Sequence, residues 1–227
     1  MEDNTFTINE RFEFLDNYIK LVVDGKMNSL IINGTTGIGK SHTVLQHLSK
    51  TDKKYFIVKG FSTARALYDA LYHNRNSIII FDDCDNILAD KVAVNILKGA
   101  LDTYDERVIS WLSKSTDKNI PLQFNFQGQV IFISNLKTEQ FDEAMKSRAL
   151  MIDLSMTYEE KQDRMLNIYS LIRPEVPITK SYSVLLQLFD AIENEEDLNL
   201  RTYEKALVLY MNNSENFDKQ LKFMLMN

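Results

Sequence analysis

The sequence predicts an α/β chain in which helices flank a parallel sheet and a small all-helical segment follows. Three observations carry that expectation. Short apolar runs alternate with amphipathic stretches as far as Ile152, the pattern of parallel strands joined by crossover helices. One strand–helix junction is Gly34-Thr35-Thr36-Gly37-Ile38-Gly39-Lys40-Ser41, a glycine-rich loop of the form G-x-x-x-x-G-K-S/T. From Thr157 onward the periodicity is helical only.

Residues Asn9 to Asp24 carry apolar side chains at helical spacing, with Gly25 as a stop. Ser29-Leu30-Ile31-Ile32 reads as a buried strand, and Ser41 to Leu48 as the helix that leaves the loop. Tyr55 to Val58 is a second strand, Thr63 to His73 a helix, and Ser77 to Phe81 a third strand, apolar enough to be covered on both faces. Val92 to Tyr104 is a helix, Val130 to Ile133 a fourth strand and Leu150 to Ile152 a short fifth. Apolar stripes then predict helices over Thr157–Ile172, Ser181–Asn194, Arg201–Asn212 and Phe217–Met226.

Composition bounds the class without choosing a partner. The 227 residues suffice for one α/β domain plus a helical appendage, and 44% apolar with 26% charged residues is ordinary for a globular protein. With 7 Gly and 3 Pro there is no low-complexity linker. No stretch approaches the ~20 apolar residues of a membrane span, and the charged start Met1-Glu2-Asp3-Asn4 is unlike a signal peptide. One cysteine excludes an internal disulfide and fits a reducing cytoplasm. A net charge of −6 neither advertises nor excludes a nucleic-acid partner, because a few lysines suffice to line a channel.

The chemistry gathers at the predicted strand ends. The glycines of the 34–41 loop free backbone N–H groups to turn around an anion, and the following helix adds its unpaired amides and positive dipole end. Lys40 would supply a point charge for β/γ-phosphates and Ser41 a hydroxyl for Mg²⁺, so a nucleoside triphosphate is the expected ligand of Gly34, Thr35, Thr36, Gly37, Ile38, Gly39, Lys40, Ser41 and His42. The third strand ends in Asp82-Asp83, where Asp82 would hold the metal and Asp83 polarise the attacking water; an acidic turn is the plainer alternative, and Asp85 is a substitute base. Asn135, after the fourth strand, either orients that water or simply ends the strand. Arg148 has the planar fork that suits a transferring phosphoryl group, although an exposed arginine at a helix end is commonplace. Arg201 opens a helix, where a basic side chain opposes the dipole and suggests a task elsewhere.

Together these residues resemble the AAA+ ATPase family over most of the chain. GTTGIGKS resembles its Walker A loop, SIIIFDD its Walker B strand, Asn135 in VIFISN its sensor 1, Arg148 in KSRALMIDL its arginine finger and Arg201 in LNLRTYEKAL its sensor 2. The resemblance implies an α/β nucleotide-binding core over 1–155 and a helical lid over 156–227, with ATP and Mg²⁺ between them. It further implies a homo-oligomeric ring or spiral, usually six-fold, in which Arg148 reaches a neighbour's γ-phosphate. Two features depart from the pattern: Asp83 stands where Glu is usual, and no amino-terminal adaptor is recognisable.

The segment near 107–126 reads as an inserted β-hairpin, with strand-like Arg107–Leu112 and Ile120–Phe126 around a polar turn. It is similar to hairpins that some AAA+ branches point into a central channel. Lys114 and Lys118 at its tip, and Lys59 after the second strand, are candidate DNA contacts; the alternative for the tip is a solvated turn. Phe61 is either a pore aromatic or a side chain packed beneath its helix. His42, His47 and His73 lack metal-ligand spacing, and Cys84 reads as core. The expected activity is Mg²⁺-dependent ATP hydrolysis, preferring ATP because no Asn-Lys-x-Asp guanine motif occurs. The expected use is on DNA in replication or recombination (helicase, helicase loader or clamp-loader-like factor), with a replication protein among the candidate partners. A protein-remodelling ring and a nucleotide-gated scaffold are the alternatives. The Asn/Lys-rich, compact chain looks like a product of a bacterium or its phage.

Overall fold

The computed structural model describes residues 6–60, 62–112 and 120–226. Strands are β1 (Ser29–Gly34), β2 (Tyr55–Lys59), β3 (Ile78–Asp82), β4 (Val108–Ser110), β5 (Gln123–Asn125), β6 (Gln129–Ile133) and β7 (Leu150–Leu154). Helices are α1 (Ile8–Val23), α2 (Lys40–Leu48), α3 (Ala64–His73), α4 (Asn86–Ala89), α5 (Lys91–Leu101), α6 (Glu143–Lys146), α7 (Tyr158–Ile172), α8 (Ile178–Ala191), α9 (Leu200–Asn212) and α10 (Phe217–Leu225). Packing divides the chain into two units. One holds residues 12–34 and 40–155; the other holds, in its described part, residues 6–11, 35–39 and 156–226.

The first unit is built on five parallel strands in the order β2-β3-β6-β1-β7. Every residue of β1 and β3 is buried, which explains their unbroken apolar runs: helices cover both faces, so no alternation is required. Phe12, Leu15, Ile19 and Val22 form the buried stripe of α1. The Asp90 carboxylate caps α5 by accepting from the backbone N–H groups of Val92 and Ala93, and the Thr63 hydroxyl caps α3 through Ala66. The register sets Asp82 beside Lys59 of β2 and Ile133 of β6, while Ile32 of β1 also lies beside Ile133. The carboxyl ends of β1, β3 and β6 are thereby level. Gly34 closes β1 at φ +129°, where a Cβ would lie 2.3 Å from the Leu154 carbonyl carbon, so β7 leaves room only for glycine.

The α/β order and the following helices agree with the sequence reading, and the differences are local. The helix expected over Val92–Tyr104 stops at Leu101, because Asp102 turns to an extended ψ of 153°. The hairpin pairs Val108–Ser110 with Gln123–Asn125, antiparallel, and the ribbon continues through Trp111 N to the Leu122 carbonyl (2.7 Å) and Phe126 N to the Arg107 carbonyl (2.8 Å). Helices α4 and α6, each of 4 residues, were not anticipated; a single turn shows no periodicity.

In the second unit, α7 to α10 enclose Met165, Val184, Leu185, Leu188, Leu198, Tyr203 and Leu207, with Tyr158, Tyr169 and Phe189 packed against them. Thr157 and Glu160 form a capping box at the start of α7. Glu160 also pairs with the buried Arg11, from the first turns of α1.

One buried cation anchors the β4–β5 ribbon. Arg107, 5% exposed, donates from Nη1 to the Ala100 carbonyl (2.8 Å) and from Nη2 to the Gly128 carbonyl (2.7 Å), and its guanidinium lies 5.1 Å from the Phe126 ring centroid. Burial holds its pKa below the usual arginine value, an effect that Asp102 opposes. Arg107→Met keeps the apolar stem but strands both carbonyls. Unfolding in urea should show a loss of about 2 kcal/mol.

Candidate active site

The level strand ends bring together residues far apart in sequence. Lys40, buried at the start of α2, donates from Nζ to the Gly34 carbonyl (2.6 Å) and to Asn135 Oδ1 (2.9 Å). Asn135 Nδ2 in turn donates to Asp83 Oδ1 (2.8 Å). Beside this chain, Ser41 Oγ donates to Asp82 Oδ1 (2.7 Å), and Lys59 Nζ lies 3.0 Å from Asp82 Oδ2. Asp82 is buried at 5% exposure while Asp83 faces solvent, so adjacent acids have different surroundings. His42 is exposed on the first turn of α2.

Asp83 has φ +56°, the left-handed region, and is the sole non-glycine there among the described residues. Such a backbone costs about 1–2 kcal/mol for an L-residue, and Asp tolerates it better than most. The turn redirects the chain after β3, so that Asp83 meets Asn135 whereas the Cys84 thiol is buried against the Val58 and Asp82 carbonyls (3.4 and 3.6 Å). Burial pushes the Cys84 pKa up to about 11, which marks a packing residue rather than a nucleophile. Asp85, the alternative base, is engaged by Ser134 Oγ at 2.6 Å.

The segment after β2 is fastened to the same acids. Gly60 N donates to the Asp82 carbonyl (3.2 Å), and the Asn86 carboxamide clasps Ser62, accepting from its N–H (3.2 Å) and donating to its carbonyl (2.5 Å). Sequence reasoning missed Asn86, Ser134 and the Lys59–Asp82 pair. The β2–β3 register is the signal that could have found Lys59, which was expected as a DNA contact and here lies on the acid expected to hold the metal. Phe61, Lys114 and Lys118 lie outside the described residues.

Arg148 sits elsewhere. It precedes β7, at the amino ends of the strands, where its Nε meets Asp102 Oδ2 at 3.3 Å and its Nη1 donates to the Ala144 carbonyl at 2.8 Å. Five extended residues span roughly 16 Å, so Arg148 and Asp82 lie at opposite ends of one sheet.

In the helical unit, the middle of the glycine-rich loop meets α9. Leu200 N donates to the Gly37 carbonyl (2.9 Å), and Met156 N donates to Thr35 Oγ1 (3.0 Å). Gly37, at φ +72°, sits so close that a Cβ would approach Asn199 Cβ to 2.9 Å. Ile38 is buried and Thr36 exposed, while a Cβ added to the half-buried Gly39 would lie 3.5 Å from Leu200. Asn199 caps α9 by accepting from Thr202 N, which presents the next turn with Arg201 exposed and in no ion pair among the described residues.

No family model matches the chain. The uncharacterized 36.7 kDa protein from the nrdC–mobD intergenic region of Enterobacteria phage T4 is 28% identical over 225 residues, covering 88% of this chain and 69% of that protein. Among solved structures, a point mutant of RuvB from Thermotoga maritima superposes with a TM-score of 0.61 at 12% identity, over 99% of this chain and 73% of that one. Domain III of the replication initiation protein DnaA from Thermotoga maritima gives 0.54 at 15% identity, over 98% and 96%. No helix among the described residues is long and apolar enough to cross a membrane.

The left-handed backbone at Asp83 is separable from its carboxylate. Asp83→Ala and Asp83→Gly both remove the Asn135 contact, but only glycine relieves the backbone. The glycine variant should be the more stable of the two by about 1 kcal/mol in urea unfolding.

Proposed function

From the AAA+ P-loop ATPase fold that the chain carries, we propose a Mg²⁺-dependent ATP hydrolase that assembles with its own copies into a ring or spiral and acts on DNA in replication or recombination. The observation that carries this reading is the linked array at the strand ends, Lys40–Asn135–Asp83 beside Ser41–Asp82. In it, Gly34 to His42 bind the triphosphate, with Lys40 on the β/γ-phosphates. Asn135 is hydrogen-bonded to both Lys40 and Asp83, so it senses the γ-phosphate and orients the water that Asp83 polarises. Asp85, tied to Ser134, is the weaker base.

The donor set suits magnesium. Among the described residues no three His, Cys, Asp or Glu side chains cluster, which is what a multi-ligand protein cage would need. A serine hydroxyl and a carboxylate side by side match an ion that keeps several waters and takes few protein oxygens. Bound there, Mg²⁺ would neutralise charge on the phosphates; Ser41 and Asp82 would hold it, and Lys59 would give up its place on Asp82.

Arg148 lies at the opposite end of its own sheet from Asp82, which supports service in trans at a neighbouring copy. Arg201, exposed in the turn after the Gly37–Leu200 bond and in no ion pair among the described residues, supports a coupling of residues 156–227, the proposed lid domain that follows a 1–155 core, to nucleotide state. DNA as substrate is supported by the likeness to a replication initiation protein and by the two lysines, Lys114 and Lys118, that the sequence carries between β4 and β5. The phage T4 relative supports a phage-encoded protein of the bacterial cytoplasm.

Steady-state ATP hydrolysis with and without single- and double-stranded DNA, over a range of protein concentrations, tests the whole reading. Turnover should rise steeply with concentration and be stimulated by DNA; turnover indifferent to DNA would redirect the search to protein substrates. Lys40→Ala should weaken ATP binding at least about 100-fold, on the scale of lost charge-assisted bonds, as read by equilibrium titration. Changing Lys114 and Lys118 together to Glu should leave basal hydrolysis intact and reduce its stimulation by DNA, most at low salt.

A further inference from the structure

Arg148 is gripped more firmly than a solvated arginine requires. Two of its three guanidinium nitrogens are engaged, Nε by Asp102 Oδ2 and Nη1 by the Ala144 carbonyl, and the side chain is one-third exposed, at 33%. Nη2 has no partner among the described residues. Asp102 is itself fixed at three points. Its Oδ1 accepts from Thr103 N (2.8 Å), its carbonyl accepts from Asn28 Nδ2 (2.9 Å), and its backbone ends α5, whose last carbonyl accepts from the buried Ser29 Oγ (3.2 Å). The acid is thus held by the sheet's amino-terminal rim, and it holds the arginine in turn. A half-buried ion pair of this kind adds only modestly to stability, since ordering two side chains offsets much of the attraction. Its main effect here is geometric: it fixes which edge of the planar fork points outward.

We propose that Asp102 is the positioning residue for Arg148, orienting the guanidinium so that Nη2 is the atom presented to a γ-phosphate held by a neighbouring copy; this rests on the trans role proposed above. Asp102 touches no nucleotide. It removes the rotamer search that a free arginine would make at each turnover, and a displacement of about 1 Å at such a group can cost about 100-fold in rate. Asp102 also begins the connection from α5 to β4, so the arginine is braced on the root of the inserted ribbon.

The test uses mixed assemblies. Asp83→Asn subunits serve as silent finger donors: they lack the proposed base but keep the loop and Arg148. Unmodified chain is mixed with a large excess of donors, so that nearly every active site faces a donor's arginine. Donors carrying Asp102→Ala or Asp102→Asn should lower turnover per unmodified subunit about 10- to 100-fold, approaching donors that carry Arg148→Ala. The KM for ATP, the affinity for a fluorescent ATP analogue and the sedimentation of the assembly should stay unchanged. A merely structural Asp102 would shift melting and assembly together with rate, and Asp102→Asn, which still accepts from Thr103 N, guards against misfolding of the alanine variant. Undiminished turnover with both Asp102 variants as donors, where Arg148→Ala donors abolish it, overturns the inference and leaves the trans finger standing. Normal turnover with Arg148→Ala donors overturns the trans role and this inference with it. Absence of turnover in the unmodified chain at every concentration strikes the proposed activity itself.

Discussion

The buried carboxylate of Asp82 is the constraint around which the strand ends are arranged. A carboxylate at 5% exposure costs several kcal/mol if left alone, and the chain answers it with the Ser41 hydroxyl, the Lys59 ammonium and a level register. Lys59 reaches it because parallel pairing of β2 and β3 sets the two residues side by side. Ser41 reaches it because α2 starts directly at the end of β1, after a loop whose first glycine alone fits against β7. Removing any of these supports would leave charge in a dry place, so sheet register and site chemistry are one problem with one solution.

The neighbouring acid illustrates a different arrangement. Asp83 holds a left-handed backbone and faces Asn135 and solvent instead of following β3 into the core. Strain of this kind persists where surrounding structure over-determines it, and it concentrates at functional positions. Two consecutive aspartates thereby acquire unlike environments from one backbone torsion. The same turn buries Cys84, which locks the geometry from the core side.

Much of this was legible in the sequence, for identifiable reasons. β1 and β3 are buried on both faces, so their apolar runs are unbroken, and the glycine-rich loop marks the junction between a strand and a helix. Asn135 and the acid pair were placed correctly at strand ends because strand ends follow from runs of isoleucine and phenylalanine. What stayed hidden depends on through-space pairing that periodicity does not encode. Helices α4 and α6 are single turns; the Asn86–Ser62 clasp and the Asp102–Arg148 pair join residues 24 and 46 positions apart. Arg107 reads in sequence simply as the first residue of a strand-like run, and its role as a buried anchor stays hidden because its partners are carbonyls that every sequence has.

Among the described residues strand β2 has a neighbouring strand on one side only, and its Tyr55 and Phe56 are each 42% exposed. An open edge of that kind is a template for unwanted pairing with another chain, and natural sheets blunt it with charge. Lys53 and Lys54 precede the strand and Lys59 ends it, but Lys59 is engaged by Asp82. The burden of keeping this edge solitary thus falls on the two lysines at its entrance. Lys59 is shared between that edge and the acidic end of β3: its side chain stays 62% exposed while its ammonium rests on Asp82, so one cation borders both the open strand and the buried carboxylate.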